Sequence, residues 1–240
     1  MLINCDIGER GEAHPVDKEL LNYIDIANVA CGGHAGDRDS VSFFAQEARK
    51  RGIWVTAHLS YPDKRNFGRV PMAISNETLV ESLKEQLQYF SFIKRVKLHG
   101  ALYHQANQSE KLALLLTGVF KEFKIEQIIA PIGSEIAKAS QKNNINVLYE
   151  AFIERRYCIE NGHLTLVSRD KPYACIEELD EAISQYEDIL AGYVKVYSMS
   201  KSGKLSYKQQ LLKAQTVCVH SESPIALQLL YRIKALTANA

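Results

Sequence analysis

Four of the seven histidines in this chain, His34, His58, His99 and His220, each follow closely on a short apolar run. Asp6, Cys31 and Glu150 occupy the same kind of position, and Lys97 stands two residues before His99. Imidazoles and carboxylates gathered near neutral pH are the groups that move protons in acid–base catalysis. The same groups ligate divalent metals. The densest stretch is NVACGGHAGD, Asn28 to Asp37, where Gly32, Gly33 and Gly36 surround His34. Glycines there allow a sharp turn and a close backbone approach to a ligand, and exposed amides in such a loop can hold an anion. Asp37 is placed to cap a helix beginning near Arg38.

Taken singly, each of these residues has a plain structural explanation. His220 reads as a hydrogen-bonded structural histidine, Asp6 as the cap of a turn at Gly8, and Lys97 as an edge-strand charge. Cys31 and Cys218 read as small buried hydrophobes, since neither has a neighbour that clearly lowers its pKa. What the plain account does not explain is their convergence from six separate apolar runs.

Those runs are the strands that must position them. Leu2–Cys5, Ile26–Ala30, Ile53–Ala57, Val96–Leu98, Gln127–Ala130, Asn146–Tyr149 and Thr216–Val219 read as buried strands. Between them lie amphipathic segments. The clearest spans Asn76–Arg95, with Leu79, Leu83, Leu87 and Phe90 on one stripe, Ser75 as N-cap and Glu77 in the first turn. Ser223 and Pro224 mark the start of the last helix. Further helices fit Asp17–Ile24, Asp39–Arg51, Ser109–Phe123, Ser134–Asn143 and Ile176–Ala191. Arg155–Lys171 holds a hairpin turn at Asn161-Gly162, and Lys195–Leu205 reads as a second irregular excursion turning at Gly203. Alternating strands and helices predict an α/β fold with parallel pairing and right-handed crossovers. An open doubly wound sheet and a closed, distorted barrel both satisfy the pattern. In either, active sites form at the carboxyl ends of the strands.

The remaining composition narrows the function. The chain has 240 residues without repeats or linkers, which suits one domain over 1–240. Lys and Arg number 29 against 28 acids, for a net charge of +1, so there is no electrostatic footprint for nucleic acid or an anionic membrane. MLINCDIGER is not a secretory signal, and no run approaches the ~20 apolar residues that span a bilayer. Five scattered cysteines with no CxxC pair predict a reduced, cytoplasmic setting. SGKLS at 202–206 lacks the first glycine of a phosphate-binding loop, so no nucleotide site is recognisable.

The motifs NCDIGE (Asn4–Glu9), ANVACGGHAGD (Ala27–Asp37), AHLSYPD (Ala57–Asp63) and FGR (Phe67–Arg69) occur in that order. KLHGALY (Lys97–Tyr103), EAFIERRY (Glu150–Tyr157) and VCVHSESP (Val217–Pro224) follow. Together they strongly resemble the LamB/YcsF lactam-utilisation family, which includes the A subunit of bacterial 5-oxoprolinase, over essentially the whole chain. The resemblance implies a distorted seven-stranded (β/α) barrel of the glycoside hydrolase/deacetylase type. It implies ring opening of 5-oxoproline or a related lactam to L-glutamate, coupled to ATP hydrolysis through two partner subunits. This sequence departs from the family pattern at Gly33, Leu98, His104, Ile153-Glu154-Arg155 and His220-Ser221-Glu222.

Within that resemblance, Asp6, His58, Lys97 and His99 are the expected catalytic residues, with His99 or Asp6 as general acid or base and His58 as the nearest competitor. Lys97 and the amides around His34 would stabilise negative charge. Substrate contacts are expected from His34, Gly36, Asp37, Arg69, Tyr103, Glu150 and Arg155, the two arginines suiting a carboxylate or phosphate. Two other readings remain open. Asp6, His34 and His58 could ligate a divalent metal in a stand-alone cyclic-amide hydrolase or deacetylase, or the chain could be a ligand-binding subunit without catalysis.

Overall fold

In a computed structural model, residues 1–11, 14–160, 162–200 and 203–238 are described. Asn161 and Ser202, two of the predicted turn and loop residues, lie outside them. The barrel strands are β1 (Leu2–Ile7), β2 (Ile26–Ala30), β3 (Trp54–Leu59), β4 (Arg95–Leu98), β5 (Gln127–Ala130) and β6 (Asn146–Phe152). A hairpin of β7 (Tyr157–Glu160) and β8 (His163–Leu166) and another of β9 (Tyr193–Met199) and β10 (Leu205–Leu211) precede β11 (Thr216–His220). The helices are α1 (Pro15–Leu20), α2 (Arg38–Lys50), α3 (Asn76–Leu87), α4 (Gly100–Gln108), α5 (Glu110–Glu122), α6 (Glu135–Lys142), α7 (Leu179–Leu190) and α8 (Ala226–Ala238).

Seven of the described strands close into a parallel barrel in the order β1-β11-β6-β5-β4-β3-β2. This settles the choice that periodicity left open in favour of the barrel. The two excursions between β6 and β11 are one structure. They form a four-stranded sheet, β10-β9-β7-β8, joined by a parallel pairing of Tyr157 with Val196. Among the described residues, no helix is long and apolar enough to cross a membrane.

Strand alternation sorts the barrel's two sides. Cys5, Ile7, Ala27, Val29, Val55 and Ala57 pack outward into the main core under the helices. Residues of the opposite parity face inward. Leu2, Ile26, Ile129 and Leu148 make a small apolar plug at one end. Above it the barrel strands carry Asn4, Asp6, Asn28, Thr56, His58, Lys97 and Glu150, all buried.

Several boundaries differ from the sequence reading; the helix expected over Asp17–Ile24 spans Pro15–Leu20, and that expected over Ile176–Ala191 spans Leu179–Leu190. The helix expected over Asn76–Arg95 stops at Leu87 because Arg95 already opens β4, and Phe90 and Ile93 reach the core from a turn. Helix α8 begins at Ala226, with Leu229 N–H donating to Ile225 O at 2.8 Å, so Ser223 and Pro224 belong to the preceding turn. Helix α4 was not anticipated. It starts at Gly100, whose φ of +55° breaks the chain sharply away from β4.

Candidate active site

Lys97 organises the barrel interior. Its Nζ lies 3.0 Å from Asn4 Oδ1, 3.2 Å from Asp6 Oδ1, 2.9 Å from Cys218 Sγ and 3.3 Å from Glu150 Oε2. Burial would lower the ammonium pKa, but Asp6, Cys218 and Glu150 outweigh it and hold Lys97 well above the ordinary lysine range. Asp6 is the reverse case. Burial pushes it up, yet His58 and Lys97 keep it well below the usual carboxylate value. Glu150 is buried deeply enough that its carboxyl stays raised despite Lys97. One ammonium thus stands between two carboxyl groups whose pKa values are moved in opposite directions, Asp6 downward and Glu150 upward. Asn28 Nδ2 donates to Asn4 Oδ1 and Asp6 Oδ1, both at 2.9 Å, and fixes the layer from β2.

A second cluster sits at the mouth. His34 Nε2 meets Glu9 Oε1 at 2.9 Å, and His58 Nε2 meets His99 Nδ1 at 3.0 Å. The rings of His34 and His99 stack with centroids 3.7 Å apart and an interplanar angle of 3°. His58 stands nearly perpendicular to both. Burial holds the His34 imidazole down to about 3, against the pull of Asp6, and lowers His99 well below its ordinary value. Both rings are therefore neutral at neutral pH. Burial, reinforced by Asp6, raises Glu9 to about 7.

The FGR segment packs this cluster from outside. A Cβ on Gly68 would come within 2.9 Å of His34 Cβ and 3.2 Å of His99 Cδ2. His99 is bonded to the same segment, with Nε2 3.0 Å from Phe67 O.

The loop after β2 does mostly structural work. A Cβ on Gly36 would lie 2.3 Å from Ala30 O, so this glycine closes the turn. The Asp37 carboxylate accepts from Ser40 N at 2.8 Å, and Ser40 Oγ accepts from Asp37 N at 2.8 Å, a reciprocal cap on α2. Neither Gly36 nor Asp37 lines the cleft, and the contacts described for both lie within the loop and its helix cap. Asp37→Ala will cost about 1 kcal/mol of stability, the usual value of an N-cap, as urea denaturation will show. Catalytic turnover will be left within a few-fold of wild type. At Gly33 a Cβ would fall 2.3 Å from Ser60 Oγ and 2.6 Å from Gln86 Oε1. Gln86 spans the Ser60 backbone, accepting from its N–H at 3.0 Å and donating to its carbonyl at 2.9 Å. That clamp fills the space a larger residue at 33 would need.

A cleft of about 550 Å³ opens onto Asp6, His58, Lys97 and His99 from the inserted sheet's side. His34 is only 2% exposed and lies behind His99, outside the cleft wall. Arg69, Arg155, Arg169 and His220 form the rim. Arg69 and Arg169 both pair with Glu222. Arg155 donates to two backbone carbonyls, Ala174 O and Val167 O, and burial and then Arg169 bring its guanidinium down to about 10. His220 takes Glu154 Oε1 at 2.5 Å on Nδ1 and stacks on Phe152, which agrees with its structural reading. Glu150 and Tyr103 face an adjoining cavity of about 460 Å³, which Tyr103 shares with the cleft. Burial, with Glu150 beside it, keeps the Tyr103 phenol well above its ordinary value.

Sequence reasoning missed Asn4, Asn28, Glu9, Glu154 and Arg169. Strand parity would have found the first two, because Asn4 alternates with Leu2 and Asp6, and Asn28 with Ile26. Glu9, past the Gly8 turn, carried no periodic signal.

The LamB/YcsF family model matches residues 1–240. This chain belongs to the LamB/YcsF family. A LamB/YcsF relative, the A subunit of 5-oxoprolinase from Bacillus licheniformis, is 34% identical over 246 residues, covering 97% of this chain and 92% of that protein. A crystal structure of a lactam utilization protein from Thermus thermophilus superimposes with a TM-score of 0.80 at 24% identity. It covers 99% of this chain and 97% of that one. The likeness in structure shows that the two chains share the barrel fold.

Proposed function

We propose that this chain is the ring-opening subunit of an ATP-dependent 5-oxoprolinase. It would convert 5-oxoproline to L-glutamate while ATP becomes ADP and phosphate, with ATP handled by partner subunits. The observation that carries the reading is the Asp6–Lys97–Glu150 arrangement beneath a cleft rimmed by guanidinium groups. The name of the Bacillus licheniformis relative supplies the substrate class and the word subunit.

An unstrained lactam is a poor electrophile, and its amine is a poor leaving group. Phosphorylation of the lactam oxygen by a partner would activate it. Water then attacks the activated carbon, the carbon–nitrogen bond breaks, the departing nitrogen gains a proton, and a second water hydrolyses the resulting acyl phosphate to the side-chain carboxylate and phosphate. Lys97 is a permanent cation placed to stabilise the oxyanion. Asp6 and Glu150, pushed apart in pKa by their surroundings, divide the proton handling: Asp6 orients the water as an ionised acceptor, and Glu150 gives and retakes the proton. Arg155, whose two recorded bonds use only backbone carbonyls, is free to meet the substrate carboxylate or phosphate with its remaining donors. His58 and His99 form the opposite wall.

The purified chain alone will show no ATP-dependent glutamate release from 5-oxoproline above background. Adding the partner subunits will restore it. Clear ATP-dependent turnover by this chain by itself would refute the division of labour, and a reconstituted complex inactive on 5-oxoproline would refute the substrate.

A further inference from the structure

We infer that Glu9, His34, His58 and His99 form a binding site for one divalent transition-metal ion of zinc type. Its place beside the cleft deepens the ring-opening reading, and the metal's role, though not its binding, rests on that reading.

The geometry argues first. One donor atom from each of the four residues lies within 4.8 Å of the others. The four recorded edges are 2.9 Å (His34 Nε2 to Glu9 Oε1), 3.0 Å (His58 Nε2 to His99 Nδ1), 3.6 Å (His99 Nδ1 to Glu9 Oε1) and 3.9 Å (His58 Nε2 to Glu9 Oε1). Metal–nitrogen and metal–oxygen bonds of about 2.0–2.1 Å in a tetrahedron give ligand–ligand edges of roughly 3.3–3.4 Å. The four observed edges bracket that value, and the parallel stack of His34 on His99 must open by a tilt of the rings for both lone pairs to point at one ion.

Chemistry argues next. Three imidazoles and one carboxylate are the ligand set of zinc and its neighbours rather than of magnesium or calcium. The proton on His99 is already assigned: Phe67 O can only accept, so Nε2 donates to it and Nδ1 presents a lone pair to the cluster. The Nδ1 atoms of His34 and His58 are buried without a hydrogen-bond partner. Nothing outside the cluster pins their protons to Nε2, and each can turn a lone pair inward. Bound there, the ion would supply a Lewis acid at the wall of the cleft.

The test uses the full chain stripped with a chelator. Calorimetric titration with Zn²⁺ should give one equivalent per chain and a concentration-dependent rise in Tm. Glu9→Gln and His34→Gln should each weaken binding by more than the roughly 10–100-fold that loss of a supporting residue costs. Co²⁺ in place of Zn²⁺ should give the visible bands of a tetrahedral nitrogen and oxygen site with no thiolate charge-transfer band. That spectrum needs no variant, so a misfolded mutant does not leave the question open.

Binding below one equivalent would overturn the site, as would affinity unchanged in folded Glu9→Gln and His34→Gln. A thiolate band would also overturn it, by moving the ion to the neighbouring Asp6, Cys218 and His220 group. Turnover of 5-oxoproline is scored separately in the reconstituted complex. Stoichiometric binding with no turnover would uphold the metal and fail the ring-opening reading, and turnover with no binding would do the reverse.

Discussion

Lys97→Met will remove about 3–5 kcal/mol of folding stability and abolish ring opening in the reconstituted complex. The magnitude is that of breaking a buried ion pair from one side. Methionine keeps most of the lysine stem, so little packing is lost. What remains is the pair of carboxyls of Asp6 and Glu150, both about 2% exposed, with no cation between them. Their folded pKa values then rise above the unfolded ones, since burial is the largest influence on each. A group with a raised folded pKa binds its proton more tightly in the native state, so the deficit of the variant is greatest at pH 8 and shrinks toward pH 5. Urea denaturation of both proteins across that range checks magnitude and sign together. A variant within about 1 kcal/mol of wild type at pH 8 would mean the ammonium is not what holds the two carboxyls in place.

Glu150→Gln separates chemistry from architecture. The substitution preserves size, and burial already weighs against the charged form of Glu150, so the fold should lose little. Asp6 remains as the counter-charge of Lys97, at 3.2 Å. If Glu150 moves the proton, turnover of 5-oxoproline by the complex will fall about 10²–10⁴-fold. The limb of the pH–rate profile that Glu150 sets will vanish with it. A folded variant retaining activity within a few-fold would leave Glu150 as an orienting group and return the proton step to the His58 and His99 wall.

The seven strands were legible in the sequence as short apolar runs, six of them bringing a polar or thiol side chain to the same end, while their closure into a barrel left no mark in the periodicity. Asp6, His58 and His99 could be found by that rule, whereas Lys97 lies inside its run. What the rule hides is depth. His34 and His99 carry the same signal, yet one is packed behind the other because Gly68 and Gly100 let the FGR segment press against both rings. The inserted sheet was legible only as two loose excursions, since the pairing of Tyr157 with Val196 that unites them spans α7 and leaves no local trace. Helix α4 was hidden by its own first residue, a glycine that reads as a loop. Asn76–Arg95 was overdrawn because a helical stripe and a buried turn residue look alike when Phe90 falls in phase.

Thr216 Oγ1 donates to Leu2 O across 214 positions of chain, and β1 with β11 forms the seam of the ring. A nascent chain therefore carries β1 through β6 as an open, incomplete sheet until the final strand has left the ribosome. Through that interval Asn4 lacks its Thr216 partner, Lys97 lacks Cys218, and the polar interior is wet. Contacts of such high order form slowly and late. Closing the ring and drying the lysine's surroundings are thus one event.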